Sequence, residues 1–377
     1  MKKIHICLVS GQPIPNLIPL RMEEFAPDKV ILIVSSDMTI PAVRMARIIR
    51  DWGIAVEEKS IEPYSLDAAR STFLDILAEI ENEDVILNVT GGTKIMAFAA
   101  FEVFREMKRP IIYIDTQGKQ VQILSPKAGV IPFKGAIKVK PYLASYGQNI
   151  IDDGRKDYSV VHHHRPFMDA LVKNIDEYID GIRTLNGYLA PHRSTRTFPL
   201  DIDVGGNLVD SKFGAILSLC QENGLVGIAD NGLLVLPDLA TVEFLSGGWL
   251  EEYVFDTVSS LSPADLRMGL KVEWDQKGSK QPTNEYDVVF THENRLYLIE
   301  CKTKRFMGKD KEESNDNPIY KLESLKEAAG GLYGKGMLVS YQRLTDAQKR
   351  RLAANRLEFC DGPALKNLKD KVKQWIK

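Results

Sequence analysis

The chain has 377 residues, a formal net charge of −2, and ordinary hydrophobic (44%) and charged (27%) fractions. This length exceeds what one compact core organises, so we expect two domains, with three as an option, in a soluble globular protein. The near-neutral charge argues against a protein that coats DNA, but it leaves open an enzyme that meets nucleic acid through local basic patches.

The sequence predicts a cytoplasmic protein without a membrane partner. No apolar run approaches the roughly 18 residues that a membrane span requires. The opening MKKIHICLVSGQ enters a strand pattern directly and lacks the features of a signal peptide. The four cysteines are scattered without a CxxC pair, which predicts neither disulfides nor a zinc site.

Residues up to about 145 alternate short apolar runs with amphipathic helical patterns. The apolar runs are Ile4–Val9, Val30–Val34, Val85–Val89 and Ile111–Ile114. Helical patterns lie between them at Pro41–Trp52 and Leu66–Ile80. Short apolar strands joined by helices predict a parallel, doubly wound sheet, so residues 1–145 are expected to form a Rossmann-like α/β domain.

Small polar turns follow three of these strands, where a doubly wound sheet binds its ligands. The turns are Ser10–Pro13, Ser35–Asp37 and Thr90–Lys94. Free backbone N–H groups, hydroxyls and a helix N-terminus suit phosphate, although such residues also form tight turns with no ligand. Neither a Walker loop nor GxGxxG is present, which disfavours an ATPase and a nicotinamide or flavin cofactor. We expect a phosphate-bearing ligand that is bound rather than hydrolysed.

Residues 146–240 are expected to form a small helical connector, with a winged helix as one option. A helical stripe covers Phe167–Ile182, a second helix covers Phe213–Cys220, and a short strand follows at Leu233–Leu236. The run His162–His164 is followed by Arg165 and Pro166, which indicates an exposed turn rather than a metal site.

Residues 241–377 contain the pattern that predicts chemistry. Asp287 precedes the apolar strand Val288–Phe290, and a polar turn leads into the strand Leu296–Lys302. In such a hairpin Glu300 and Lys302 share one face, and Asp287 approaches from the partner strand. Two carboxylates and a lysine predict a divalent-metal hydrolytic site, with magnesium or manganese preferred by hard oxygen ligands. A structural ion pair is the alternative.

Neighbouring segments support this hairpin. A helix pattern at Trp249–Ser259 follows two glycines, and Glu251 or Glu252 could lend a carboxylate to the metal. A later helix with Lys321 and a buried strand complete a helix–hairpin–helix–strand order. Between them, the loop Arg305–Asn317, with Lys309 and Lys311, is placed where it could touch a substrate backbone.

These motifs together resemble the CARF-domain nucleases of type III CRISPR systems. In that family a CRISPR-associated Rossmann-fold sensor is joined to a restriction-endonuclease-like effector with a PD-(D/E)xK core. The resemblance spans nearly the whole chain. It rests on LVSGQPIPN, VTGGTK, GGWLEEYV, EYDVV…LIECKTK and KLESL…GGLYGKGMLVS.

The resemblance implies a homodimer that binds cyclic tetra-adenylate, a cyclic oligoadenylate, across its two-fold axis as an allosteric activator. The matching ligand residues are Ser10, Gly11, Gln12, Ser35, Ser36, Thr90, Gly91, Gly92, Thr93 and Lys94. The matching catalytic residues are Asp287, Glu300, Lys302 and Glu251. For the Mn²⁺ or Mg²⁺ ion we expect Asp287, Glu300 and the backbone carbonyl of Cys301 as ligands.

The expected activity is therefore metal-dependent cleavage of phosphodiester bonds in DNA, RNA or both, switched on by the cyclic ligand. Two other functions remain open at this stage. One is a ligand-responsive transcription regulator that binds duplex DNA through the connector. The other is a ring nuclease, in which the sensor degrades its own ligand.

Overall fold

The computed structural model of the chain describes residues 1–156, 159–204, 211–275, 282–304 and 317–377. Over these ranges the strands form sheets of seven, six and three strands. None of the helices in these ranges has the length and apolar character needed to cross a membrane. The loop expected to reach substrate, with Lys309 and Lys311, lies outside the described residues.

The first sheet has the predicted parallel order. Its strands are β1 (Lys3–Leu8), β2 (Lys29–Val34), β3 (Ala55–Ser60), β4 (Asp84–Asn88), β5 (Ile111–Asp115), β6 (Gln120–Ser125) and β7 (Gly129–Pro132). They lie in the order β3-β2-β1-β4-β5-β6-β7, parallel from β3 to β5 and antiparallel beyond. Strand β3 was not predicted, because this edge strand, AVEEKS, is mostly polar.

Helices cover both faces of this sheet, which confirms the Rossmann-like prediction. They are α1 (Ile14–Leu17), α2 (Thr39–Asp51), α3 (Leu66–Glu79), α4 (Lys94–Glu106) and α5 (Val139–Ser145). Helices α3 and α4 pack on one face, and α2 and α5 pack on the other. Because β2, β1 and β4 are neighbours, the three polar turns leave the same edge of the sheet.

Residues 146–240 do not form one separate unit, because their strands belong to two different sheets. Their elements are β8 (Gln148–Asp152), α6 (Ser159–Lys173), α7 (Ile175–Leu189), β9 (Leu200–Ile202), α8 (Ser211–Glu222), β10 (Gly227–Ile228) and β11 (Leu234–Leu236). Strands β10, β11 and β9 form the small antiparallel sheet, whereas β8 joins the six-stranded sheet that follows. Helix α8 and strand β11 lie where the sequence predicted them.

Two local predictions in this region were wrong. The helix expected over Phe167–Ile182 is two helices, because Asn174 adopts non-helical angles (φ −117°, ψ 45°) between α6 and α7. The residues 162–164 lie within α6 and not in an exposed turn. This helix continues past Pro166 because its apolar side chains, such as Phe167 and Leu171, are fully buried.

The last part of the chain forms the predicted α/β core around a hairpin. Its elements are α9 (Leu239–Glu243), α10 (Trp249–Ser259), β12 (Asp265–Trp274), β13 (Thr283–His292), β14 (Arg295–Lys302), α11 (Pro318–Gly330), β15 (Gly334–Ser340), α12 (Asp346–Ala354), β16 (Glu358–Asp361) and α13 (Leu368–Trp375). The sheet order is β16-β15-β14-β13-β12-β8. Strands β13 and β14 are antiparallel, and β14 to β16 are parallel.

The first sheet and the six-stranded sheet share one apolar core. Tyr142 and Leu143 of α5 belong to the same buried cluster as Leu296 and Leu298 of β14 and Leu322 of α11. Because protein interiors are close-packed, a displacement at one sheet is felt at the other. The packing therefore links the edge with the polar turns to the hairpin with the carboxylates.

Candidate functional site

The two carboxylates predicted to bind metal lie opposite each other on the β13–β14 hairpin. Val288 pairs with Ile299, so one step further along the antiparallel register Asp287 faces Glu300. The turn residues Glu293 and Asn294 have positive φ angles of 47° and 61°. Such a two-residue turn fixes the register of a hairpin and therefore the approach of the carboxylates.

Asp287, Glu300 and Lys302 form one cluster. The Oδ2 atom of Asp287 accepts a hydrogen bond of 2.7 Å from the backbone N–H of Cys301. The Nζ atom of Lys302 lies 2.6 Å from Glu300 Oε1 and 3.8 Å from Asp287 Oδ2. Glu300 is only 3% exposed. The structure thus brings the predicted trio together at the end of the buried strand.

Lys321 of α11 also points into this cluster. Its Nζ atom donates to Glu300 Oε1 at 3.1 Å and to Oε2 at 3.0 Å. Glu300 therefore contacts two ammonium groups, one from its own strand and one from the helix that packs over it. These charge-assisted hydrogen bonds fix the orientation of the carboxylate.

The neighbouring glutamates of α10 have different surroundings. Glu252 is buried and pairs with Arg155 Nη1 and His164 Nδ1, both at 2.8 Å. Both glutamates line the cavity in front of the hairpin, but it is Glu251 on which the charges of Asp287 and Lys302 act. Successive helical residues are about 100° apart, so only one of the two can face the hairpin. That residue is Glu251, as the motif comparison favoured.

Burial and mutual repulsion perturb this cluster. Burial, followed by the charges of Asp287 and Glu285, raises the pKa of Glu251 to about 8. Burial and the charge of Glu300 raise the pKa of Asp287 to about 6. Burial disfavours the ammonium of Lys302, but the charges of Glu300 and Asp287 outweigh it and raise its pKa. The protein has therefore concentrated negative charge where a cation would relieve it.

The donor set suits a hard divalent ion with few protein ligands. In the described part of the chain, no three His, Cys, Asp or Glu side chains converge on one metal position. Mg²⁺ is commonly held by one or two carboxylates and completes its shell with water and phosphate oxygen. Asp287 and Glu300 match that pattern, with the adjacent Cys301 backbone available to contribute.

A cavity of about 770 Å³ opens in front of this cluster. Among its lining residues are cations from four separate parts of the chain: Arg155, Arg193, Lys271, Lys302 and Lys304. Such a lining suits the phosphate backbone of a nucleic acid. The sequence reading missed Arg155, Arg193 and Lys271, because nothing local indicates that these distant residues meet.

Glu285 was also missed, although a signal was present. It lies two residues before Asp287 on β13, so strand alternation places both side chains on one face. Glu285 lines the cavity, and its charge contributes to the raised pKa of Glu251.

Gly247 allows α10 to begin close to the hairpin. Its φ of 142° lies in a region that favours glycine. A Cβ atom here would lie 3.0 Å from Thr303 Oγ1, just beyond the end of β14. The pair Gly247–Gly248, read from the sequence as the start of the helix, thus also permits close approach to the hairpin.

A second cleft, of about 320 Å³, lies at the polar edge of the first sheet. Five predicted ligand residues line it: Ser10, Gln12, Thr90, Gly91 and Gly92. Residues at the end of β5 and just after it line it as well, including Asp115, Thr116 and Gln117, and they were not predicted. Tyr113 also lines the cleft and is 41% exposed.

A buried amide network holds the turn after β4 in place. Asn88 accepts hydrogen bonds from the Thr90 backbone N–H (3.1 Å) and hydroxyl (2.6 Å), and donates to Asn16 at 3.1 Å. A Cβ atom on Gly91 would lie 2.0 Å from the carbonyl oxygen of Leu8, and Gly92 has a φ of 73°. Both glycines of TGGTK are therefore required by the backbone.

The remaining predicted ligand residues lie around this cleft rather than in its lining. Gly11 is exposed in the first turn, and Ser35 (buried) and Ser36 (exposed) follow β2, next to β1. The Thr93 hydroxyl donates to the Pro63 carbonyl at 2.7 Å and accepts from the Met96 N–H, which caps α4. Lys94 is exposed in the first turn of that helix.

The comparisons with known proteins agree with this two-site arrangement. Residues 4–142 match the family model of the Card1 CARF domain, and residues 238–377 match that of the Card1-like endonuclease domain. No curated protein matches the chain.

Solved structures that resemble the chain include the following three. Protein VC1899 from Vibrio cholerae is 24% identical, with a TM-score of 0.89 over 99% of this chain and 98% of that one. Can2 from Sulfobacillus thermosulfidooxidans, solved with cyclic tetra-adenylate, is 27% identical, with a TM-score of 0.79 over 100% and 99%. A type III CRISPR defence DNA nuclease activated by cyclic oligoadenylate is 17% identical, with a TM-score of 0.53 over 93% and 52%.

The first and third of these likenesses show the fold alone, whereas the two family models identify both ends of the chain. The chain therefore belongs to the CARF-domain nucleases, with a Card1 CARF domain and a Card1-like endonuclease domain in one polypeptide.

Proposed function

We propose that the protein is a metal-dependent endonuclease that cyclic tetra-adenylate switches on. The ligand binds at the cleft of the CARF domain in a homodimer, and the endonuclease domain cleaves phosphodiester bonds in DNA, RNA or both. The observation that carries this proposal is the cluster of Asp287, Glu300 and Lys302 at the mouth of a cation-lined cavity.

The metal would be Mg²⁺ or Mn²⁺, held by Asp287 and Glu300 with the Cys301 carbonyl. When bound, such an ion activates water and neutralises charge on the scissile phosphate. The Cys301 N–H and Lys321 orient the two carboxylates, so the site is organised before the ion arrives. Lys302 holds its proton because its pKa is raised, so its ammonium donates to the phosphate oxygen that gains charge.

Glu251 and the cavity cations complete the proposed roles. Glu251 is the third carboxylate near the trio, and it would either accept the proton of the attacking water or serve as a further ligand of the ion. Arg193, Lys271 and Lys304 line the same cavity and would contact the substrate backbone. Backbone contacts of this kind give affinity with little sequence preference.

For the activator, two observations support cyclic tetra-adenylate. The CARF cleft offers backbone N–H groups, hydroxyls and two glycines at the end of β4, which suit a phosphate-bearing ligand. Can2, which resembles this chain over its full length, was solved in complex with that molecule. A ligand with repeated phosphates also matches two copies of the turn related by a two-fold axis.

One assay matrix tests the proposal. Labelled single-stranded DNA, duplex DNA and RNA are incubated with the protein, with and without cyclic tetra-adenylate or cyclic hexa-adenylate, in Mg²⁺ or Mn²⁺. We expect cleavage only when both cyclic tetra-adenylate and metal are present. Metal-independent binding to one duplex sequence without cleavage would support the transcription regulator instead, and consumption of the cyclic ligand alone would support a ring nuclease.

A further inference from the structure

The ligand cleft of the CARF domain is not built from that domain alone. Tyr333, which follows α11 in the endonuclease domain, lines the cleft together with Thr90, Gly92 and Tyr113. Its side chain is half-buried, and it packs against the apolar core that the two domains share. The cleft therefore presents one tyrosine from each domain.

Gln12 ties this part of the endonuclease domain to the predicted ligand turn. Its Oε1 atom accepts hydrogen bonds from the Tyr146 hydroxyl at 3.0 Å and from the Leu332 backbone N–H at 3.3 Å. A Cβ atom on Gly331, whose φ is 51°, would lie 2.6 Å from the same oxygen. The segment Gly331–Tyr333 thus lies directly against a residue that lines the cleft.

The helix that ends at this segment reaches the nuclease cluster at its other end. Helix α11 spans Pro318–Gly330, and Lys321 in its first turn holds both oxygens of Glu300. Its apolar face is buried against β14 and β15. One rigid element therefore connects the wall of the ligand cleft with a carboxylate of the proposed metal site.

Cations of the endonuclease domain lie beside the same tyrosine. A further cavity, of about 500 Å³, adjoins the CARF cleft and shares Thr116, Gln117 and Tyr333 with it. Arg295 and Lys335 of the endonuclease domain line it, and Arg295 donates to the Thr116 carbonyl at 3.2 Å. An aromatic ring with positive charge behind it suits a nucleotide, because the ring stacks on a base and the cations attract its phosphates.

We propose that Tyr333 is an activator-binding residue that the endonuclease domain contributes to the CARF cleft. An adenine of the bound ligand stacks on its ring, and Gln12 exchanges its hydrogen bond with Leu332 for one with the ligand. Through this contact the bound activator acts directly on the position of α11, and through Lys321 of that helix on the position of Glu300. The inference rests on the proposed function, since it takes cyclic tetra-adenylate as the ligand.

The experiment compares tyrosines of the full-length protein in two assays: affinity for labelled cyclic tetra-adenylate, and the cleavage rate at saturating ligand. Loss of one base stack costs about 1–3 kcal/mol, which corresponds to roughly 5- to 150-fold in affinity. We expect Tyr333→Ala to show this loss and also a lower saturated rate, with both restored by Tyr333→Phe. Tyr113→Ala, on the CARF side, should weaken binding but keep the saturated rate.

Tyr320→Ala is the matched control, because Tyr320 lies on α11 but stacks on Arg351 outside the cleft. It should leave activator affinity unchanged, and a thermal melt of each variant checks folding. Wild-type affinity together with a wild-type saturated rate in Tyr333→Ala overturns the inference. Failure of the wild-type protein to bind the cyclic ligand is a separate result, which removes the proposed function itself.

Discussion

The two sites of this protein are built on opposite physical principles. The CARF cleft is lined mainly by hydroxyls, amides and glycines, with the Asp115 carboxylate among them, and its shape is fixed by hydrogen bonds such as those of Asn88. The nuclease cluster concentrates three carboxylates and a lysine in a largely buried position, where burial raises the pKa of Glu251 and Asp287. One site is shaped before a ligand arrives, whereas the other, in the function proposed above, is completed by a cation.

This difference separates recognition from reaction. A binding site gains from rigidity and from donors that are already aimed at the ligand. Catalysis at a hydrolytic site benefits from groups with shifted pKa values, because their charge can change when metal and substrate bind. We therefore expect substitutions in the nuclease cluster to leave activator affinity intact and substitutions in the cleft to leave metal affinity intact, and the following changes test this.

The largest effect is expected for Lys302→Ala. Loss of the ammonium beside Glu300 and Asp287 removes the group that faces developing negative charge, so cleavage should fall by about 10³-fold. Affinity for cyclic tetra-adenylate should stay at the wild-type value. The control is Lys366→Ala, an exposed lysine after β16, and cleavage retained in the Lys302 variant would remove the proposed active site.

The two glutamates of α10 provide a matched pair. Glu251→Gln should weaken Mn²⁺ binding by roughly 10- to 100-fold, because it removes a carboxylate next to the trio. Glu252→Gln should instead lower the melting temperature, because it weakens buried pairs with Arg155 and His164. Calorimetric titration of the metal and thermal melts distinguish them, and the reverse pattern would exchange the roles assigned here.

On the other side of the comparison, Gly91→Ala should damage the sensor alone. The added methyl group would meet the Leu8 carbonyl at 2.0 Å, so the turn must move at a cost of roughly 1–3 kcal/mol. Activator affinity should fall while Mn²⁺ affinity is kept. Gly187→Ala, on an exposed helical position with nothing within 4 Å, is the control and should be neutral or slightly stabilising.

The smallest effect is the contribution of the nuclease cluster to the pH dependence of stability. Raised carboxyl pKa values mean that the folded state holds these protons more tightly than the unfolded state. Their stabilisation is full below about pH 4 and is lost as the pH rises through about 6 for Asp287 and 8 for Glu251. Between pH 5 and pH 8 the metal-free protein should lose on the order of 3–5 °C more in melting temperature than Asp287→Asn combined with Glu251→Gln.

Mg²⁺ or Mn²⁺ should reduce this loss, since the ion favours the deprotonated carboxylates. The melting temperature is followed by calorimetry across the pH range with metal and with a chelator. A loss of the same size in Asp287→Asn combined with Glu251→Gln would show that the dependence arises elsewhere in the chain.

The sequence allowed the architecture and the trio to be predicted because their signals are local. The apolar run that ends in Glu300-Cys301-Lys302 indicates the second strand of a hairpin. The alternation of side chains along the strands then places Glu300 and Lys302 on one face, where Asp287 of the first strand approaches them. The same holds for the turn that contains Gly91 and Gly92. These features depend on the spacing of apolar residues and on residues adjacent in sequence, and both can be read directly from the sequence.

What escaped prediction depends on contacts between distant segments. Arg155, Arg193 and Tyr333 reach their cavities only through the packing of β8, α7 and α11 on other elements, and no periodicity indicates such a meeting. The helical course of 159–173 was likewise decided by burial of side chains, which outweighed the local signal of Pro166. The break at Asn174 follows the weak helix propensity of Asn, which the continuous apolar stripe had concealed.

The most direct test of the account measures Mn²⁺ binding by electron paramagnetic resonance in the wild-type protein and in Asp287→Asn and Glu300→Gln, alongside affinity for cyclic tetra-adenylate. We expect both variants to lose the tightly bound Mn²⁺ and still to bind the cyclic ligand as the wild type does. Unchanged Mn²⁺ binding in both variants would contradict it, because the facing carboxylates of the hairpin would then not share a cation.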